Sequence, residues 1–189
     1  MGMRKVVLIA FAFALLIGVS ALAQGPTYGV GRTPTAEEIR ALDISIGPTG
    51  EELPPGKGTG KEGAQVYRAK GCAGCHGAAG IGGTAPNLKS KDPKNPDVWA
   101  RGRILPLRAP FATTVWDYIN RGMPLGKEGS LSSSEVYALT AFLLFKNDII
   151  KEDEVMDAQS LPKVKMPNRD GFALPPEWKH GTPRLQGYP

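Results

Sequence analysis

The strongest constraint on this 189-residue chain is one short run, Cys72-Ala73-Gly74-Cys75-His76, which holds both cysteines and one of the two histidines. A disulfide between residues three apart closes no useful loop, so the pair does not staple a fold. Zinc normally takes four nitrogen or sulfur ligands, and beyond this run the chain offers only His180. A redox dithiol opens a helix within a strand–helix–strand unit, whereas here a helical pattern stops at Gly71 just before the first cysteine. The C-x-x-C-H spacing instead matches covalent attachment of haem c. Two thiols reach the two vinyl groups on one porphyrin edge, and the following histidine swings beneath the iron. Gly77 to Gly83 supplies loose chain to wrap the ring.

His76 fills one axial position of such an iron and leaves the other open. A methionine thioether there raises the potential into the range of an electron carrier, while a vacant position suits gas binding or peroxide chemistry. Once the leader described below is removed, Met123, Met156 and Met166 remain, with His180 as an outsider. Met123 lies in Arg121-Gly122-Met123-Pro124-Leu125-Gly126, a stiff turn between two helical patterns, and is the expected ligand. Met166 also precedes a proline but belongs to the tail. Met156 stands among Glu152, Asp153, Glu154 and Asp157 and is expected on a solvated face. Any of the three also serves as core filling. Pro86, in Thr84-Ala85-Pro86-Asn87-Leu88, is expected to pack on His76 and present its carbonyl to the second ring nitrogen. A plain turn proline is compatible with that role. Tyr67, Trp99 and Trp116 are expected in the core, with an indole N–H on a haem propionate as the alternative.

The flanks divide the chain into four stretches. Residues 1–23 read as a secretory signal peptide, with Arg4 and Lys5, an apolar run Val6 to Val19, and Ala21-Leu22-Ala23 before Gln24. An uncleaved membrane anchor is the alternative, because Val6 to Ala23 nears the lower limit for a spanning helix. The protein is therefore expected to be periplasmic or otherwise exported, which argues against nucleic acid as a partner. Residues 24–57 form an arm with one capping box, Thr35-x-x-Glu38, opening a helix Ala36 to Leu42, followed by a Gly/Pro breaker run. Residues 58–147 hold the main helices. Thr59-x-x-Glu62 opens Lys61 to Lys70, Asn95-Pro96-Asp97 opens a turn of helix to Arg101, and Thr113 caps a segment to Arg121. Ser132-x-x-Glu135 opens the last helix, whose Val136, Tyr137, Leu139, Ala141, Leu143 and Leu144 make it apolar nearly all round. No segment alternates as a strand should. Residues 148–189 are a proline-rich extension, expected to lie extended over the domain. So small a central domain with few large side chains needs an extra buried group.

These features together resemble a monohaem class I cytochrome c, over roughly Gly58 to Lys146. The resemblance implies an all-α domain flanked by extended N- and C-terminal arms. Its first and last helices cross, with Gly63 and Tyr67 meeting Phe142. A narrower resemblance reaches further: Thr113 to Ile119 running into Met123-Pro124, Met166 to Phe172, and Gly31-Arg32-Thr33-Pro34-Thr35 are similar to cytochrome c subunits of sulfite dehydrogenases and Sox-type sulfur dehydrogenases. It implies a molybdenum-cofactor subunit as electron donor and a downstream cytochrome or oxidase as acceptor. Leu107-Arg108-Ala109 departs from the aromatics expected before the proline. The function implied is one-electron transfer with no substrate bond broken. A general shuttle to a terminal oxidase, or a haem enzyme or gas sensor with an open iron position, are the alternatives. A membrane is a partner only if the leader stays uncleaved. Charge is uneven: Lys57 to Lys127 carries net +8 and Glu128 to Ser160 net −5, a pattern that steers encounter with an acidic partner or merely keeps the chain soluble.

Overall fold

The computed structural model describes residues 30–172, in two units divided between Asp43 and Ile44. The segment expected to be a signal peptide with its cleavage site, His180 and the residues beyond Phe172 lie outside the described residues.

The first unit contributes one described helix, α1 (Ala36–Leu42). Its capping box forms as the sequence requires: the Thr35 hydroxyl accepts from the Glu38 N–H, and the Glu38 carboxylate accepts from the Thr35 N–H. The Arg32 guanidinium pairs with the same carboxylate and, with the Thr35 N–H, holds its pKa down at about 2.

The second unit runs β1 (Lys57–Gly58), α2 (Gly60–Ala69), α3 (Cys72–His76), α4 (Leu105–Arg108), α5 (Ala112–Gly122), α6 (Ser133–Lys146) and β2 (Met156–Asp157), closing on a 3₁₀ turn at Leu161–Lys163. The fold is all-α. Its one ladder among the described residues is two residues long and antiparallel, Lys57 opposite Asp157 and Gly58 opposite Met156, too short to leave an alternating pattern in the sequence.

Helix α6 is the centre, with every side chain from Val136 to Leu144 buried. Helix α2 crosses it at Gly63, where a Cβ would stand 1.9 Å from the Ala138 carbonyl oxygen. One turn on, the Tyr67 ring rests on Phe142, centroids 5.2 Å apart. Helix α5 packs against α6 through Trp116 and Tyr137, 5.5 Å apart. The Tyr137 hydroxyl donates to Pro54 O at 3.0 Å, and burial pushes its pKa to about 12. Asp117 anchors the start of the unit, accepting from the Ile46 N–H at 3.0 Å and from Arg121 Nε at 2.9 Å.

Four expectations need correction. Met156 is fully buried, because β2 lays it against Gly58 and the core rather than on the acidic face its neighbours imply. The tail also supplies Leu161 and Met166 to the core. At about 1.5–3 kcal/mol for each buried side chain, it makes good part of the apolar deficit of residues 58–147. Asn95 to Arg101 forms turns instead of a helix. The Asn95 side chain accepts from the Asp97 N–H and the Asp97 carboxylate from the Trp99 N–H, so the segment satisfies its backbone locally. Thr113 lies inside α5, whose N-cap is Phe111 with no side-chain cap. Trp99 is 44% exposed, while Tyr67 and Trp116 are buried as expected.

Candidate haem site

Helix α2 ends at Ala69, and Gly71, at φ 74°, turns the chain into α3. That positive φ suits glycine and places Cys72 at the first position of a new helical turn. Cys72 and Cys75 are then three residues apart on one helix face, with His76 next in line. Both thiols are free. Cys72 is half-buried against the core, and burial, with Cys75 beside it, raises its pKa. Among the described residues no three His, Cys, Asp or Glu side chains gather as a metal cluster.

The loop after His76 is folded tightly by its own backbone. The Gly77 N–H donates to Ala73 O at 2.9 Å, the Ala85 N–H to Cys75 O at 2.9 Å, and the Leu88 N–H to Gly80 O at 2.8 Å. A Cβ on Gly83 would lie 2.0 Å from Cys75 O, and one on Gly77, at φ 81°, would lie 2.1 Å from Ile81 O. Only glycine allows the loop to close on α3 in this way. Tyr67, read from the sequence as core alone, also braces the loop: its hydroxyl donates to Gly77 O at 2.7 Å.

This folding brings Pro86 O to 2.8 Å from His76 Nδ1. A carbonyl only accepts, so Nδ1 carries the proton and Nε2 keeps its lone pair for a metal. A cleft of about 410 Å³ opens beside Pro86, with Ile104 in its wall and Lys91, Arg101 and Arg103 as cations around it.

Met123 closes α5, its N–H donating to Ile119 O at 3.1 Å, and the Met123–Pro124 peptide is cis. The Lys127 N–H donates to Pro124 O at 2.8 Å and completes the turn. Met123 is half-buried at the edge of the core, whereas Met156 and Met166 are 0% and 3% exposed and committed to packing. Trp116 Nε1 is buried and finds no acceptor among the described residues.

Residues 60–145 match the family model for Cytochrome c. One chain in the crystal structure of the sulfane dehydrogenase SoxCD from Paracoccus pantotrophus is 33% identical to this one, with a TM-score of 0.64, over 78% of this chain and 72% of that one. This chain belongs to the cytochrome c family. Among curated proteins none matches. The cytochrome binds haem c covalently, and its one C-x-x-C-H run provides for a single haem. The residues present fit that group. Two free thiols share one helical turn, the adjacent histidine donates its Nδ1 proton to a carbonyl, and the loop beside them is so tight that a Cβ at Gly77 or Gly83 would collide.

Proposed function

We propose that this cytochrome is an exported one-electron carrier, with its haem attached through Cys72 and Cys75 and its iron held by His76 and Met123. Its electrons come from a molybdenum-containing sulfur or sulfite dehydrogenase subunit and pass to a downstream cytochrome or oxidase. The observation that carries the reading is the likeness to the SoxCD chain. At 33% identity over 78% of this chain it reaches well beyond residues 60–145, into segments that a haem pocket alone does not need. Export rests on residues 1–23. Among the described residues no helix is long and apolar enough to cross a membrane.

Bound haem supplies a one-electron Fe(III)/Fe(II) couple. The protein's own work is orientation and burial. Pro86 O fixes the imidazole's tautomer and its plane, and Tyr67 holds the loop that carries Pro86. Met123 sits in a turn closed by Lys127 and backed by the core, so its thioether is presented by a rigid frame. Of the three methionines it is the one with part of its surface free to meet a ligand.

The test is Met123→Ala in the haem-loaded protein. Oxidised wild type should show the weak far-red methionine–iron band. The variant should lose it and shift to a lower potential, because thioether ligation favours Fe(II). The same result from Met166→Ala, with Met123→Ala silent, overturns the assignment. Sulfite oxidised by a sulfite dehydrogenase should reduce the wild-type cytochrome, and absence of that reduction removes the sulfur pathway while leaving the carrier role.

A further inference from the structure

Trp99 and Phe172 are 44% and 61% exposed, yet they meet edge to face at 5.8 Å. The Arg108 guanidinium lies 4.7 Å over the Trp99 ring and donates to Trp99 O at 2.9 Å. Arg169 lies 4.1 Å over Phe111. The tail is pinned to this place rather than laid loosely on it. Asn168, buried, donates to Arg108 O at 2.7 Å, and Gly171 passes so close that a Cβ would stand 1.7 Å from Asn168 Oδ1. Two neighbouring stretches, around Trp99 and Arg108–Phe111, and a third about sixty residues further on thus build one rigid surface of aromatic rings under stacked guanidinium groups. Tryptophan, aromatic rings and arginine are the residue types enriched at energetic centres of protein interfaces. Rings and forks already held in place lose little entropy when a partner arrives.

The charge of the surface decides the occupant. Neither Arg108 nor Arg169 meets a carboxylate among the described residues, and Lys89 to Arg108 carries six basic residues against two acidic. A second copy meeting it isologously would bring the same positive face. The chain beyond Phe172 has one acidic residue, Glu177, against Lys179 and Arg184, and offers no compensating charge. We infer that the face formed by Trp99, Arg108, Phe111, Arg169 and Phe172 docks an acidic surface on a protein redox partner. The inference rests on the electron-carrier reading and locates where the carrier is met.

The test is an amide and side-chain NMR titration of the haem-loaded Fe(II) protein with poly-L-glutamate as the acidic probe, at low and high salt. The Trp99 indole and Arg169 Nε–H resonances should shift at low salt and return at high salt. Arg169→Gln with Phe172→Ser should weaken binding by about tenfold. Lys151→Gln, an equal charge change elsewhere, should alter it less than about twofold. Retention of the methionine–iron band shows that a variant is still folded around its haem. Three results overturn the docking site. They are shifts confined to lysines away from this face, shifts produced by phosphatidylserine vesicles but not by poly-L-glutamate, and sedimentation as a dimer lost in the double variant. Binding is read here without any electron transfer, so failure leaves the carrier role standing. A missing methionine–iron band in the wild type would instead count against the carrier role and not against docking.

Discussion

Gly63 sets how closely α2 and α6 cross, because any side chain there runs into the backbone of α6 at Ala138. Gly63→Val should separate the helices and cost about 3 kcal/mol, the upper end of the overpacking range, measured as a fall in denaturant midpoint of the haem-loaded protein. A change below about 0.5 kcal/mol would mean that the crossing is looser than the geometry requires. The meeting of Gly63 and Tyr67 with Phe142 was legible through the resemblance to class I cytochromes c, which implies that the first and last helices cross there. So was Pro86 as the partner of His76, ten residues away along one loop. Trp99 and Met156 were misread for one shared reason: their surroundings are fixed by distant chain. Phe172 lies 73 positions beyond Trp99 and Gly58 lies 98 before Met156, and no local pattern of apolar residues announces either contact.

All three capping boxes form where S/T-x-x-E predicts them, since each is complete within four consecutive residues. The one on α6 is tied to the rest of the fold through Glu135, whose carboxylate also pairs with Lys70 at 2.8 Å, one residue beyond α2. Lys70, the Ser132 N–H and the Ser132 hydroxyl together lower the Glu135 pKa from its usual 4.5. A carboxylate lowered in the folded state stabilises it fully above the unfolded value, and loses that contribution as pH falls through the folded one. Melting temperature should therefore fall more steeply in wild type than in Glu135→Gln as pH drops below about 4.5, and the two should differ by a constant amount near neutrality. Parallel curves throughout would show that Glu135 is not linked to folding. Ser132→Ala should cost about 1 kcal/mol at pH 7 by removing the cap acceptor. By contrast, α5 begins at Ala112, after Phe111, without any side-chain cap. Its start was misplaced because packing of Ala112, Val115 and Trp116, rather than a cap, decides where it begins.

At the scale of the whole molecule, the segment after α6 behaves as part of the domain rather than as an appendage. It returns to pair β2 with β1, just before the domain's first long helix, buries Met156 and Leu161 completely, and sends Met166 into the same cluster as Trp116 and Tyr137. Proline-rich composition revealed that the segment is irregular, but irregular chain can still carry core residues when its backbone turns are closed locally. Here Asp157 does that, accepting from the Gln159 and Ser160 N–H groups at 2.8 Å each, which lowers its pKa. Removing everything after Ser160 would expose the surfaces that Leu161 and Met166 cover. Large-to-small changes at buried methionine or leucine cost about 2–5 kcal/mol each, so the truncated, haem-loaded protein should unfold at a markedly lower denaturant concentration. Met166→Ala alone should lower it by about half as much. Arg169→Gln with Phe172→Ser, exposed residues of the same segment, should leave it within about 0.5 kcal/mol of wild type. That division separates the two roles of the tail: its buried side chains hold the domain together, and its exposed ones meet a partner. An unchanged midpoint after truncation would show instead that α2, α5 and α6 with their haem close the core unaided.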